Sequence, residues 1–305
     1  QARGGILTQK LATHGSLLIR GVPIHNASDF SRFVHAFGFK PHELIGNVKG
    51  GGELAPSVSY ANEAPPQVQI YSHNESAHVP NAPGYIIFYG HRVPSKGAGG
   101  ESPISSSLEL FHRVEKEIPQ FVSELEAKGV LSRVTYKTNQ QYPGGSTLLE
   151  AFGKDVLETD DKKARRAKME DQIRRYGRGK NTTWEWQTET TVNGEEETLI
   201  LTHRLPGIRT QAGTNYPSMF TGLAAYWKNL ERRLANNDSL AQKRGGQMQQ
   251  LYGDGSAIPN EYLAKLAAIT DELRVLHQWE RGDVLIFDNT IAQHGRQPWV
   301  GDQED

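Results

Sequence analysis

Residues 282–296 read GDVLIFDNTIAQHGR, and this stretch decides the fold. The four apolar residues Val284 to Phe287 follow a Gly-Asp pair, a pattern typical of a short buried β-strand. Asp288-Asn289 then predicts a turn in which the asparagine side chain bonds local backbone. His294 follows this strand and turn. We therefore expect His294 to reach into the mouth of a β-barrel built on this strand.

A second stretch, YSHNE at residues 71–75, carries His73 and Glu75 two positions apart. In an extended segment, residues i and i+2 point to the same side, so both side chains can reach one metal ion. A third ligand such as His294 can come from a distant strand, because jelly-roll sheets bring remote strands face to face. Two histidines and one carboxylate are the facial triad of non-haem Fe(II) oxygenases. The H-x-E pattern alone is a weak indication of a metal site, and it becomes specific only together with the flanking motifs.

Composition excludes several other classes of site. The chain has 305 residues and no cysteine, which rules out disulfides, iron–sulfur clusters, thiolate zinc sites and cysteine nucleophiles. The zinc deaminases, which also carry H-x-E, need cysteine ligands and are excluded with them. The formal net charge is −1, which argues against nucleic acid or an anionic membrane as partner. No apolar run is long enough for a transmembrane helix and no secretory signal is evident, so we expect a cytoplasmic protein.

The remaining pattern predicts one β-rich domain over residues 1–305, with a helical insertion at roughly 105–280. Strands are expected at residues 15–21, 85–89 and 284–287, and a hairpin at 183–202 with its turn at Asn193-Gly194. Helices are expected from Ser28 onward and at residues 105–118, 159–176, about 218–236 and about 259–278. The fold class is thus α+β with a mainly β core.

The motifs together resemble the clavaminate synthase-like and taurine dioxygenase-like superfamily. The resemblance runs through Arg20-Gly21, the segment with His73 and Glu75, GGES at residues 99–102, and the GDV, DN and HGR of 282–296. It implies a double-stranded β-helix (jelly roll) with helical insertions. It also implies Fe(II), the cosubstrate 2-oxoglutarate and O2, with His73, Glu75 and His294 as the iron ligands.

The resemblance further assigns the cosubstrate contacts. Ser102 matches the hydroxyl residue that hydrogen-bonds the 2-oxoglutarate carboxylate. Arg296 is the candidate here for the arginine that pairs with this carboxylate, since a bidentate Arg–carboxylate pair suits that task. The family's own arginine is expected about a strand further on, with the last core strand, beyond residue 305. The implied reaction oxidises a C–H bond of a small polar substrate, an amino acid or derivative, with release of succinate and CO2; its outcome is hydroxylation, cyclisation or desaturation.

Two alternatives stay open at this point. The first is a non-catalytic jelly roll that binds a metal or ligand, and the second is a cofactor-independent enzyme with His73 and Glu75 as acid and base. The oligomeric state is not predicted. Three residues that flank the ligands, Tyr71, Asn74 and Trp299, are candidates for substrate contact, while His203 at a strand end is interpreted as structural.

Overall fold

The computed structural model describes residues 5–43, 45–46, 53–61, 64–138, 146–177, 179, 181–191, 194–236 and 248–301. Its helices are α1 (Ile6–His14), α2 (Ala27–His35), α3 (Ser107–Glu117), α4 (Pro119–Lys128), α5 (Leu148–Phe152), α6 (Lys162–Gly177), α7 (Leu223–Ala235) and α8 (Asn260–Leu273). Its strands are β1 (Ser16–Ile19), β2 (Glu53–Ala55), β3 (Val58–Ser59), β4 (Ile70–His73), β5 (Tyr85–Tyr89), β6 (Ser102–Ser106), β7 (Val130–Lys137), β8 (Thr182–Thr191), β9 (Gly194–Leu205), β10 (Arg209–Thr210), β11 (Pro217–Ser218), β12 (Met248–Tyr252), β13 (Val275–His277), β14 (Val284–Asp288) and β15 (Ala292–Arg296).

Two antiparallel sheets form the part of the fold that carries the motifs. One has the strand order β1-β14-β5 and the other the order β13-β6-β15-β4. The chain passes directly from one sheet to the other between β4 and β5 and again between β14 and β15. Strands far apart in sequence are thereby brought together, as the prediction of a mixed fold with a β core required.

Strand β14 lies at the centre of its sheet and is buried on both faces. Val284 and Ile286 belong to an apolar cluster with helices α1 and α2. Leu285 and Phe287 belong to a different cluster that includes side chains of β6 and β15 in the facing sheet. Alternate residues of a strand point to opposite faces, so one apolar run fills both clusters. Burial of each such side chain stabilises the fold by about 1.5–3 kcal/mol, which explains the uninterrupted apolar sequence.

Two predicted helix boundaries are wrong. The first helix after β1 is capped by Asn26 and not by Ser28, because the extended Asn26 accepts a hydrogen bond from the Asp29 amide while Ser28 already lies inside the helix. The helix predicted to reach residue 278 ends at Leu273. The next residues form β13 and pair with the edge of β6, so backbone pairing with the sheet overrides the helical pattern there.

The segment between β6 and β14, predicted as helical, also contains a second β-structure. Strands β12, β7, β9 and β8 form a four-stranded antiparallel sheet in that order, which we call the insertion sheet. The predicted hairpin is present as β8 and β9, whereas β7 and β12 were not predicted. Of the predicted turn, Asn193 lies outside the described residues and Gly194 begins β9.

None of the helices within the described ranges is both long enough and apolar enough to cross a membrane.

Candidate active site

The register of β4 and β15 places the two candidate histidines side by side. His73 and His294 are direct antiparallel partners, at the last residue of β4 and in the middle of β15. Their ring centroids are 4.8 Å apart. Because cross-strand partners point to the same face of a sheet, both imidazoles project to one side. Two strands that are distant in sequence therefore bring together two histidines that could share one metal ion.

Glu75 completes this site from the segment that follows β4. Its Oε2 lies 3.6 Å from His73 Nε2 and 3.4 Å from His294 Nε2. One ligand atom from each of the three residues lies within 4.8 Å of the others. Two imidazole nitrogens and one carboxylate oxygen form the donor set of a facial triad, which leaves positions on the metal open for other ligands. The residues present therefore fit an Fe(II) ion.

Hydrogen bonding gives His73 the tautomer that a metal ligand needs. Its Nδ1 lies 2.7 Å from the carbonyl oxygen of Tyr71. A carbonyl only accepts, so Nδ1 carries the proton and donates, and the lone pair stays on Nε2. Nε2 is the atom that faces Glu75. Such a bond on the far nitrogen fixes the ring orientation and makes the ligating nitrogen more basic.

Two buried asparagines hold the ligand segment in place. Asn289 Oδ1 accepts a hydrogen bond from the Glu75 amide at 2.7 Å, and its Nδ2 donates to the carbonyls of Glu75 and Pro83 at 3.0 and 2.8 Å. Asn74 donates to the Asn289 carbonyl at 2.7 Å and accepts from the Thr221 amide at 2.9 Å. The side chain of Asn289, which was predicted to bond local backbone in a turn, thus bonds backbone that is remote in sequence. Asn74 is 1% exposed, so it supports the site and the prediction of substrate contact is wrong for it.

Ser102 begins β6, beside the strand that carries His294. Ile104, two residues further on, is the direct partner of His294 in β15. Ser102 and Ile104 share one face of β6 because they are two residues apart. The indole Nε1 of Trp279 donates a hydrogen bond to Ser102 Oγ at 3.0 Å. The hydroxyl hydrogen of Ser102 is therefore available to an acceptor such as a carboxylate. Trp279 was missed in the sequence because nothing local links it to Ser102.

An ion pair between the buried Asp283 and the half-exposed Arg20 fixes the turn that follows Trp279. Asp283, 1% exposed, accepts from Arg20 Nε at 2.7 Å and from the Glu280 amide at 3.0 Å. Its carboxylate also lies 3.2 Å from His277 Nε2. Burial alone would raise the pKa of Asp283, but hydrogen bonds from Arg20 and the Glu280 amide outweigh it and hold that pKa below its usual range. The residues on both sides of Trp279 are thus anchored.

Arg296 lies on the same strand as His294, and its guanidinium bonds to backbone. It donates to the carbonyls of Ala64, Pro65 and Val68 at 3.2, 2.9 and 2.7 Å. It also stacks on Trp299 at 4.2 Å. Burial lowers the pKa of Arg296 to about 10. Binding of the 2-oxoglutarate carboxylate by Arg296 stays a prediction.

Apolar rings shield the metal site on the side of the core. His294 contacts the rings of Phe88 and Phe287, at centroid distances of 5.1 and 5.3 Å. Its side chain is 8% exposed, whereas those of His73 and Glu75 are 23% and 24% exposed. The metal would therefore meet apolar side chains on one flank and an open approach on the other. Two imidazoles and one carboxylate that converge at the edge of paired β-sheets are the arrangement typical of mononuclear non-haem iron oxygenases.

The chain belongs to the taurine catabolism dioxygenase TauD, TfdA family, whose model matches residues 3–305. It is therefore a dioxygenase that depends on Fe(II) and 2-oxoglutarate. Family membership decides against the non-catalytic and cofactor-independent alternatives that the sequence left open.

Comparisons with individual proteins agree with the family. A clavaminate synthase-like protein of Arabidopsis thaliana is 29% identical over 294 residues, covering 96% of this chain and 80% of the relative. The dapdiamide synthesis protein DdaC of Enterobacter agglomerans is 26% identical over 296 residues, 96% of this chain and 81% of the relative. Among solved structures, an asparagine oxygenase in complex with Fe(II), 3-hydroxyasparagine and succinate matches with a TM-score of 0.50. That match has 14% identity, covers 99% of this chain and 75% of the other, and shows the fold alone.

Proposed function

We propose that this oxygenase hydroxylates a C–H bond of a small polar substrate, an amino acid or an amino-acid derivative. The observation that carries the proposal is the convergence of His73, Glu75 and His294, with one ligand atom of each within 4.8 Å of the others. The class of substrate is supported by the relative named for dapdiamide synthesis. Cyclisation or desaturation of the same substrate class are the other outcomes that this chemistry allows.

The assignment of roles follows the geometry. His73, Glu75 and His294 hold the Fe(II), and the Ser102 hydroxyl donates to a carboxylate oxygen of 2-oxoglutarate. When bound together, iron and 2-oxoglutarate would activate dioxygen for oxidation of the substrate C–H bond, with succinate and CO2 as by-products. The two paired sheets serve as a double-stranded β-helix core, and residues 1–305 as a single oxygenase domain.

The chain's own residues orient the ligands and keep water from the buried flank. Tyr71 fixes the His73 ring through its carbonyl, and Asn289 fixes the backbone of Glu75. Phe88 and Phe287 cover His294. Preorganised ligands and a dry flank reduce the reorganisation that each turnover requires.

The direct test is an anaerobic titration of metal-free protein with Fe(II) and 2-oxoglutarate. We expect a weak visible charge-transfer band that appears only when both are present. Admission of O2 with a panel of amino acids is then expected to release succinate in step with one of them, and mass spectrometry of that amino acid to show a gain of one oxygen atom.

His294→Ala is expected to abolish the band, and His112→Ala, which changes an exposed histidine of α3, is the matched control. A full band in the His294→Ala protein would contradict the ligand set. A band without succinate release from any amino acid or derivative in the panel would contradict the substrate class only.

A further inference from the structure

His78 lies beside the candidate metal site without belonging to its ligands. It follows Glu75 by three residues, and it is not a member of the group of donor atoms that could share one metal ion. His78 nevertheless interacts electrostatically with both Glu75 and His73. These two are the more exposed of the three ligands, whereas His294 is shielded by the core. His78 therefore lies on the open side of the site, from which a substrate would approach.

Two successive turns fix the backbone that carries His78. The Ala77 amide donates to the Asn74 carbonyl at 3.3 Å. The Val79 amide donates to the Ser76 carbonyl at 3.2 Å, and Ser76 has a φ of 54°, in the left-handed region. Three residues of an extended strand would span about 10 Å, but these turns bring the chain back toward the ligand that precedes it. Val79 is 2% exposed and packs against the insertion sheet, which anchors the far side of the turn.

The hydrogen-bonding capacity of the His78 ring is not used within the described part of the chain. Neither ring nitrogen has a hydrogen-bond partner there. The side chain is half-buried, and its nitrogens are not sealed in the core, unlike Nε2 of His203. A ligand at the open side of the metal site can therefore reach them.

The ring of His78 is uncharged near neutral pH. Burial lowers the pKa of His78 to about 4, against the opposing effect of the Glu75 carboxylate. A metal cation on the neighbouring ligands would lower this pKa further. Even at the ordinary pKa of about 6.5, most such rings are neutral at pH 7. His78 thus offers one N–H donor and one lone pair as acceptor.

We propose that His78 is a specificity-determining residue of the oxygenase and accepts a hydrogen bond from the ammonium group of an amino-acid substrate. The proposal rests on the oxygenase function proposed above. In the loaded site, the Glu75 carboxylate and the two carboxylates of 2-oxoglutarate carry more negative charge than Fe(II) neutralises. A cation is attracted to such a centre, whereas a carboxylate placed at the same imidazole would be repelled. Hydrogen bonds with an ionised donor are also about twice as strong as neutral ones.

A purely structural role for His78 makes a different prediction. A ring that only fills space could be replaced by phenylalanine without any effect on the choice of ligand. A ring that accepts from an ammonium group would lose its preference for ammonium-bearing ligands when the nitrogens are removed. The two roles are therefore distinguished by comparing ligands that differ only in this group.

The test is anaerobic calorimetry on protein loaded with Fe(II) and 2-oxoglutarate. The probes are the common L-amino acids and, for the tightest binder, the analogue in which hydrogen replaces the ammonium group. We expect the wild type to bind the amino acid at least tenfold more tightly than this analogue. His78→Phe, which keeps a planar ring without nitrogen, is expected to reduce the preference several-fold. His112→Phe, which changes an exposed histidine of α3, is the matched control and is expected to keep the preference.

Two further variants supply rescue and a smaller replacement. His78→Asn and His78→Gln place an acceptor oxygen near the positions of Nδ1 and Nε2, and one of them is expected to retain part of the preference. His78→Leu lacks an acceptor and is smaller than His78→Phe, so it replaces that variant if the larger ring disturbs the site. Because His78 is not a ligand, at least one acceptor-free variant is expected to form the charge-transfer band at wild-type concentrations of Fe(II) and 2-oxoglutarate.

The outcomes separate this proposal from the oxygenase function. An unchanged preference in a band-forming His78→Phe or His78→Leu protein would overturn the proposal. Equal binding of the amino acid and its analogue by the wild type, or binding of no amino acid, would overturn it as well. Loss of the band in both acceptor-free variants would show that His78 supports the metal site instead. Absence of the band in the wild type, with the ammonium preference intact, would contradict the oxygenase function only.

Discussion

The replacement Asn289→Ala tests whether Asn289, which follows β14, holds the segment with Glu75 in position. It removes three hydrogen bonds, one from the Glu75 amide and two to the carbonyls of Glu75 and Pro83. Asn289 is 0% exposed, so water cannot replace the lost partners without a rearrangement. At about 1 kcal/mol for each lost bond and more for each buried group left unpartnered, we expect a loss of about 3–5 kcal/mol in the free energy of unfolding.

The same replacement is expected to weaken metal binding. Glu75 would keep its carboxylate but lose the contacts that position its backbone, and loss of such support costs about 10- to 100-fold in metal affinity. Urea unfolding of the metal-free protein measures the first effect, and anaerobic titration with Co(II), followed by its visible spectrum, measures the second. Asn229→Ala is the control, because the bonds that Asn229 makes to Ala225 and Arg232 lie within α7. An affinity within twofold of the wild type in a destabilised Asn289→Ala protein would refute the positioning role.

Two further predictions concern the cosubstrate and pH. Trp279→Phe removes the hydrogen bond to Ser102 and is expected to weaken 2-oxoglutarate binding about fivefold, the equivalent of about 1 kcal/mol. Titration of the charge-transfer band with 2-oxoglutarate measures this affinity. An unchanged affinity would show that Trp279 does not position the Ser102 hydroxyl. Because the pKa of His203 falls to about 3 in the folded protein through burial, its contribution to stability is present above the unfolded pKa of about 6.5 and is lost as pH falls below it. Between pH 6.5 and 5, His203 alone is expected to lower the free energy of unfolding by about 2 kcal/mol. Urea unfolding midpoints that fall equally over this range in the wild type and in His203→Gln would contradict the lowered pKa of His203.

The parts of the site that follow from local pattern could be predicted from the sequence. The apolar run of β14 identifies a strand buried on both faces, and the i, i+2 spacing of His73 and Glu75 places two ligands on one side. These two features depend on neighbours in sequence. His294 follows a strand and a turn, but it could be proposed as the third ligand only through the resemblance to a known family.

The supporting contacts could not be predicted, because each depends on a partner that is remote in sequence. Asn289 has the local appearance of a turn residue, yet its side chain bonds residues 214 and 206 positions away. Trp279 reaches Ser102 across 177 positions. Strands β7 and β12 escaped prediction for the same reason, since their pairing with each other defines them better than their own composition does.

With His73, Glu75 and His294 as the proposed ligands, the pairing of β4 with β15 would also set the earliest point of synthesis at which the protein can bind the metal. Asn74 and Gln293, which flank the paired histidines, are 219 positions apart. Contacts of such long range are slow to form because a long loop must close before they stabilise anything. A nascent chain carries His73 and Glu75 for most of its elongation without the third ligand. Tight metal uptake would therefore mark the pairing of β4 with β15, and a metal-sensitive probe on stalled chains would record it as a single late event.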